Sequence, residues 1–205
     1  YQLIANLGSG SSGIVEKVKH VQTGQIYARK RIPLRMIQRK SEAVRKRAQD
    51  EIQVMKILSG HDHIVSVVGS YQTDRHLSIL IYPVADEDLA SFLDRVEGSR
   101  DVSKEHEDIL SRSFGCLASG LAFMHQRHIR HGDIKPSNIL LHQGHILYAD
   151  FGIARDTSLL DQNRTTGHPG QFTKRYAPPE VFDYMPRGRS ADVFSLGCVY
   201  VEILA

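Results

Sequence analysis

The chain contains no tryptophan, two cysteines and seven prolines in 205 residues. Cys116 and Cys198 each sit inside an apolar segment. That excludes a disulfide scaffold and a thiolate metal centre, and both read as small buried hydrophobes of a reducing compartment. No run of 18 apolar residues occurs. The segment from Val193 to Ala205 is apolar but too short and too polar to span a bilayer, and no signal-peptide pattern is present. A soluble, intracellular protein without membrane insertion is expected, cytoplasmic, with the nucleus as the alternative. Charge of neither sign dominates: 26 Lys and Arg against 23 Asp and Glu leave a net charge of +3, too little to argue for a nucleic-acid partner. The eleven histidines, including His61-Asp62-His63 and those from His125 to His131, lack a four-ligand spacing and are expected to be core or surface residues.

Other features are present in plenty. Nine Lys or Arg against one acid, Glu42, fall between Arg29 and Arg47. This pattern fits a solvated helix face plus one functional lysine, with docking to an acidic partner as the alternative. The first third alternates apolar and polar residues. Tyr1 to Leu7, Ile14 to Lys19, Gln25 to Ile32, Ile64 to Tyr71 and Leu77 to Ile81 read as strands. Lys40 to Leu58 has helical spacing, with Val44, Ala48, Ile52, Met55 and Leu58 on one face. After a connector at residues 82–88 the pattern turns helical. Leu89 to Val96 is short, and Asp108 to Gln126 is long with Leu110, Phe114, Leu117, Leu121 and Met124 inward. Ile139 to Leu141 and Ile146 to Tyr148 form a small hairpin turning at Gly144. A polar loop runs from Asp150 to Met185, and a buried helix starts at Ala191. A strand-rich front and a helix-rich back imply two lobes with a cleft, an expected ligand site.

Leu7-Gly8-Ser9-Gly10-Ser11-Ser12-Gly13-Ile14-Val15 places three glycines at G-x-G-x-x-G spacing between two strands. Such glycines let backbone amides approach phosphates. A strand follows where a dinucleotide fold has a helix, and no Gly-Lys-Ser/Thr closes the turn as in a P-loop. In Tyr27-Ala28-Arg29-Lys30, Ala28 and Lys30 share one strand face. Ala28 and Val15 suit an apolar roof for a base, while Lys30 reaches phosphates. Glu51, near the apolar face of its helix, needs a cation, and a Lys30–Glu51 pair would aim the amine. The window His131-Gly132-Asp133-Ile134-Lys135-Pro136-Ser137-Asn138, with Asp150-Phe151-Gly152, suits phosphoryl transfer. It holds a base for a hydroxyl (Asp133), a cation for the moving phosphate (Lys135) and two oxygen ligands for magnesium (Asn138, Asp150).

The glycine loop, A-x-K, helix glutamate, H-x-D-x-K-P-x-N, D-F-G and P-P-E occur in that order, and the chain resembles the eukaryotic protein kinase family over essentially all its length. The resemblance implies an α+β, two-lobed protein-kinase-like fold. Residues 1–84 would be the N-lobe, a small antiparallel sheet with one helix, and residues 85–205 a partial, mainly helical C-lobe. It implies ATP and Mg2+ as cofactors and a protein substrate, with Lys135 before Pro136 pointing to the serine/threonine type. Phe151, Met55, Val67, His131 and Asp192 would form a spine joining the lobes. Ile81 would guard the back pocket, and Tyr82-Pro83-Val84 would be the hinge, the Tyr82 carbonyl and Val84 amide bonding the base. Leu140 would form the floor beneath the adenine. Asp88 is a candidate for the ribose, with a plain acidic cluster of Asp86, Glu87 and Asp88 as the alternative. Thr173 would bridge Asp133 and Lys135.

Three departures from the family pattern bear on this picture. Gly132 stands where an arginine usually meets a phosphorylated activation loop. Without it, a phosphate on Thr157, Ser158, Thr165 or Thr166 loses its main partner, so activity independent of loop phosphorylation is expected. Phe172-Thr173 replaces Gly-Thr, and Pro178-Pro179-Glu180 replaces Ala-Pro-Glu. Glu180 is expected at a buried turn that needs a cation from a later helix, and a chain ending at Ile203-Leu204-Ala205 in mid-helix is expected to be a fragment. The complete set Lys30, Glu51, Asp133, Asn138 and Asp150 favours an active kinase over a pseudokinase or scaffold. Lys135 and the segment from Thr173 to Glu180 disfavour a small-molecule kinase.

Overall fold

The computed structural model describes residues 1–10, 13–33, 41–99, 103–157, 173–183 and 188–205, and these form two compact units. The first comprises residues 1–60 and 65–84. Its strands are β1 (Gln2–Gly10), β2 (Gly13–Lys19), β3 (Ile26–Pro33), β4 (Ser66–Gln72) and β5 (His76–Tyr82), and its helix is α1 (Ser41–Leu58). The strands make one antiparallel sheet in the order β1-β2-β3-β5-β4. Register pairs Val15 with Lys30 and Lys30 with Ile79, and it pairs Lys17 with Ala28 and Ala28 with Ile81. The period of two therefore puts Val15, Ala28, Lys30 and Ile81 on one face. Ala48, Glu51, Met55 and Leu58 of α1 are buried at helical spacing. Ile32, Ala48 and Ile79 form the centre of this core, with Ile52, Val67, Leu77 and Ile81 packed around them. Each large aliphatic so buried contributes roughly 1.5–3 kcal/mol. Lys40, the expected first residue of the helix, lies outside the described residues.

The opposite sheet face carries an ionic cluster. Glu16, itself buried, accepts from Arg29 Nε and Nη2 at 2.9 and 2.7 Å and from Arg31 Nη1 at 2.7 Å. Arg29 also donates to the Tyr71 hydroxyl at 3.0 Å. Burial works to raise the Glu16 carboxyl's pKa, but the hydrogen bonds and charges of the two arginines outweigh it, and the net direction is down. A carboxylate whose folded pKa lies below its unfolded value contributes stability above the unfolded pKa and loses it as pH falls through the folded one. Glu16→Gln is therefore expected to cost about 1–3 kcal/mol at neutral pH. The cost should shrink as pH falls below about 4, the ordinary carboxylate range, read from urea unfolding midpoints of both proteins across pH 3–7.

The second unit comprises residues 61–64 and 85–205. In chain order it holds β6 (Glu87–Asp88), α2 (Leu89–Glu97), α3 (Lys104–Gln126), β7 (Ile129–Arg130) and a 3₁₀ turn (Pro136–Asn138). There follow β8 (Ile139–His142), β9 (His145–Tyr148), β10 (Arg155–Asp156), a second 3₁₀ turn (Lys174–Tyr176), α4 (Pro179–Phe182) and α5 (Arg189–Leu204). Strands β6, β8 and β9 form one small sheet, and β7 pairs with β10. Gln143 and Gly144 join β8 to β9 with φ of 50° and 75°, the left-handed pair that tight hairpin turns require.

Several sequence expectations shift here. Strand β4 starts at Ser66, not at Ile64. Ile64 instead bridges Tyr148 in the second unit, and both are buried. Helix α3 starts four residues before Asp108, because Ser103 caps it by accepting from His106 N at 3.3 Å. Its buried stripe is Ile109, Ser113, Leu117, Gly120, Leu121 and Met124, while Leu110 and Phe114 are half-buried. Gly120 explains the rotation: a Cβ there would come within 2.9 Å of the Tyr148 ring. That ring is fully buried and donates its hydroxyl to the Leu117 carbonyl at 3.0 Å. Helix α5 buries one stripe, Asp192, Leu196, Val199 and Ile203, and is not buried all round: Val193, Phe194, Val201 and Leu204 are exposed. Among the described residues no helix is long and apolar enough to cross a membrane.

Candidate active site

In the first unit, Lys30 on β3 donates its Nζ to Glu51 Oε1 on α1 at 2.6 Å, both side chains 6% exposed. Breaking such a buried pair from one side leaves an uncompensated charge and is strongly destabilising. Val15 and Ile81, both half-buried, share the sheet face with Lys30 and the buried Ala28. Leu7 and Gly8 lie on β1, exposed. Gly13 has φ of +136°, and a Cβ there would fall 2.3 Å from the Arg31 carbonyl oxygen, so only glycine fits. Gly10 ends β1, Ser11 and Ser12 lie outside the described residues, Tyr82 is exposed and Val84 half-buried.

In the second unit the catalytic-loop residues converge. His131 is fully buried; its Nε2 lies 3.0 Å from the Ala149 carbonyl, and its Nδ1 accepts from the Asp133 amide at 3.3 Å. That pattern requires the Nε2–H tautomer. The ring packs 5.0 Å from that of the buried Phe151. Asp192, on α5 and 1% exposed, accepts from the amides of His131 at 2.9 Å and Gly132 at 2.8 Å, with His125 Nε2 at 3.0 Å. Gly132 has φ of +83°, so this anchorage holds a left-handed backbone next to Asp133. Met55 and Val67, the other residues expected in the spine, belong to the first unit's core.

Asp133 is the hub. Its Oδ2 accepts from Lys135 Nζ at 2.7 Å and Asn138 Nδ2 at 3.0 Å, and its Oδ1 accepts from the Thr173 hydroxyl at 3.1 Å. Lys135 Nζ also donates to Thr173 Oγ1 at 2.9 Å. Asn138 is further held by Nδ2 on the Asp133 carbonyl at 2.8 Å, which turns its Oδ1 to other uses. The Ala149 amide donates to the Asn138 carbonyl at 2.9 Å, bringing the asparagine beside the residue that precedes Asp150. Asp150 is exposed and left-handed, φ 56°, a conformation that aspartate tolerates better than most residues and that clusters at functional sites. Asn138 Oδ1 and the Asp150 carboxylate are hard oxygen donors, which fits Mg2+. Among the described residues no cluster of three His, Cys, Asp or Glu forms a metal centre.

The acidic connector is engaged structurally. Asp88 caps α2, accepting from Ser91 N at 3.0 Å and Ser91 Oγ at 3.1 Å. Glu87 pairs with Arg95 at 2.6 Å, and Asp86 accepts from the Gln143 amide at 2.7 Å. Leu140 is half-buried on β8, where it pairs with Asp88 and Leu147. Thr157 is 1% exposed and donates its hydroxyl to the His128 carbonyl at 2.7 Å, so it is unavailable as a phosphate acceptor. Ser158, Thr165, Thr166 and Phe172 lie outside the described residues. Glu180 sits half-buried in the first turn of α4.

The arrangement the residues make is matched by the comparisons. The protein kinase domain model covers residues 1–205, and the chain belongs to that family. It is 31% identical over 205 residues to Cell division control protein 2 homolog 1 of Trypanosoma brucei brucei, covering 99% of this chain and 64% of that protein. It is 32% identical over 204 residues to Mitogen-activated protein kinase kinase 2 of Arabidopsis thaliana (98% and 52%) and to Serine/threonine-protein kinase 36 of Pongo abelii (99% and 14%). The chain thus spans under two thirds of each of these relatives. The five-stranded antiparallel sheet with α1, and the helical second unit, are a protein kinase fold.

Proposed function

We propose that the chain carries the catalytic machinery of a serine/threonine protein kinase, which transfers the γ-phosphate of ATP to a protein hydroxyl. The observation that carries this reading is the Asp133–Lys135–Asn138–Thr173 constellation, four side chains tied within 3.1 Å contacts. Asp133 takes the proton as the acceptor oxygen bonds phosphorus, and the bond to the β-phosphate oxygen breaks with its electron pair leaving on ADP. Lys135 neutralises the transferring group. Thr173 holds Asp133 from the side of the acceptor hydroxyl. Lys30, aimed by Glu51, holds nucleotide phosphates, and Val15, Ala28, Ile81, Tyr82 and Val84 receive the base. Asn138 and Asp150 would hold Mg2+, which when bound offsets phosphate charge. The lobes would divide as 1–84 and 85–205. In a γ-labelled ATP assay with Mg2+ and a mixed protein acceptor, Lys30→Met should remove labelling; undiminished labelling contradicts the reading.

Regulation follows from Gly132. The amide anchored on Asp192, the left-handed φ and the buried Thr157 hydroxyl all support activity that does not depend on a phosphate in the activation segment. Phosphatase treatment is expected to leave the rate within about twofold of the untreated protein. A loss of activity reproduced by Ser158→Ala, Thr165→Ala or Thr166→Ala would contradict this.

A further inference from the structure

Resting on the kinase reading, we propose that Lys174 and Arg175 select protein substrates carrying an acidic residue close to the acceptor hydroxyl. Thr173, whose hydroxyl meets both Asp133 and Lys135, marks the acceptor end of the site, and these two cations follow it directly. They are presented from a fixed turn. The Tyr176 amide donates to the Thr173 carbonyl at 3.1 Å, and Ser195 Oγ ties the Tyr176 carbonyl to α5 at 2.8 Å. The Tyr176 hydroxyl donates to the Glu202 carboxylate, 3.0 Å from each oxygen. Burial first, then Glu202, pushes the phenol's pKa up to about 12, so it stays a donor at every working pH.

Glu202, the acid beside this turn, is already engaged. It receives Tyr176 and also Arg175 Nη2 at 2.7 Å, which leaves little negative potential to attract a basic substrate residue. Arg175 is fixed by that contact, yet its side chain is 74% exposed. Among the described residues its Nε and Nη1 carry no hydrogen bond. Lys174 is exposed, with no acidic partner among the described residues. A guanidinium held in place with donors to spare, next to an ammonium, is a receptor for a carboxylate. An extended peptide advances about 3.3–3.6 Å per residue, so the acid selected lies within roughly three residues of the acceptor.

The test uses serine peptides identical but for Asp, Ala or Arg at each of the three flanking positions on either side, with the full chain and Mg-ATP. An Asp-over-Ala preference in kcat/KM of roughly three- to tenfold is expected at one or more positions, with Arg disfavoured. The preference should fade at high salt. A Lys174→Glu variant should weaken or reverse it, and Lys174→Ala/Arg175→Ala should abolish it, bringing kcat/KM for the Asp peptide down to that for the Ala peptide. Equal kcat/KM for Asp and Arg peptides overturns the proposal. If no peptide is phosphorylated, the kinase reading fails instead. Fluorescence anisotropy with labelled Asp and Arg peptides then decides the inference separately: tighter Asp binding lost in the double Ala variant supports it, and equal binding overturns it.

Discussion

Asp133→Asn is expected to lower kcat about 10³-fold while the melting temperature and the affinity for ATP stay close to those of the parent. The substitution keeps the shape but removes the proposed base, and general-base catalysis is worth about 10²–10⁴. It also sets donors against donors. The Asp133 carboxylate accepts Lys135 and Asn138 on one oxygen and Thr173 on the other, whereas an amide offers an NH2 in place of one of them. Lys135 and Thr173 keep their mutual contact, so the loop holds. ATP affinity should change little, because the Lys30–Glu51 contact is made within the first unit and Asn138 keeps its bond to the Asp133 carbonyl. Steady-state kinetics with saturating peptide, alongside thermal denaturation, separate the two effects. A kcat within tenfold of the parent would mean that Asp133 is not the base.

Asp192→Ala is the substitution with the largest expected structural effect. The buried carboxylate satisfies the amides of His131 and Gly132 and meets His125. Removing it strands the buried amide of His131 and the half-buried amide of Gly132 at about 1–3 kcal/mol each, and it frees the left-handed backbone at Gly132. A loss of roughly 3–5 kcal/mol is expected, which for a domain of this size lowers the melting temperature by about 6–20 °C. Activity at a temperature where the variant remains folded should also fall, through displacement of Asp133. Asp192→Asn, which keeps one acceptor oxygen, should recover part of the stability. A melting point unchanged in the alanine variant would show that the catalytic loop is held by other contacts.

How far the sequence alone reaches can be judged from particular residues. The site was readable because its chemistry is local: Asp133, Lys135 and Asn138 lie within six residues, and strand and helix periods bring Lys30 and Glu51 inward. What escaped depends on partners distant in the chain. The Glu16–Arg29–Arg31 cluster needs the β2–β3 register, and that register reads as ordinary surface charge in sequence. The Tyr176–Glu202 contact spans 26 residues and carries no motif. Asp88, a candidate for the ribose or a member of a plain acidic cluster in sequence, also caps a helix, a role that an Asp three residues before Ser91 signals. The start of α3 was missed because apolar periodicity begins at Ile109, five residues after the helix does. The buried helix expected from Ala191 buries one stripe only: apolar residues on several faces do not say which of them is covered, and Val193 and Val201 are exposed.

The central claim is transfer, as distinct from nucleotide binding alone, and one preparation decides between them. The full chain is titrated with Mg-ATP by calorimetry, then incubated with γ-labelled ATP and an acceptor protein, and the acceptor is hydrolysed for phosphoamino-acid analysis. Binding together with labelled phosphoserine or phosphothreonine, absent for Asp133→Asn, is the predicted result. ATP binding with no labelled phosphoamino acid, the same in parent and variant, would contradict it and leave a nucleotide-binding scaffold.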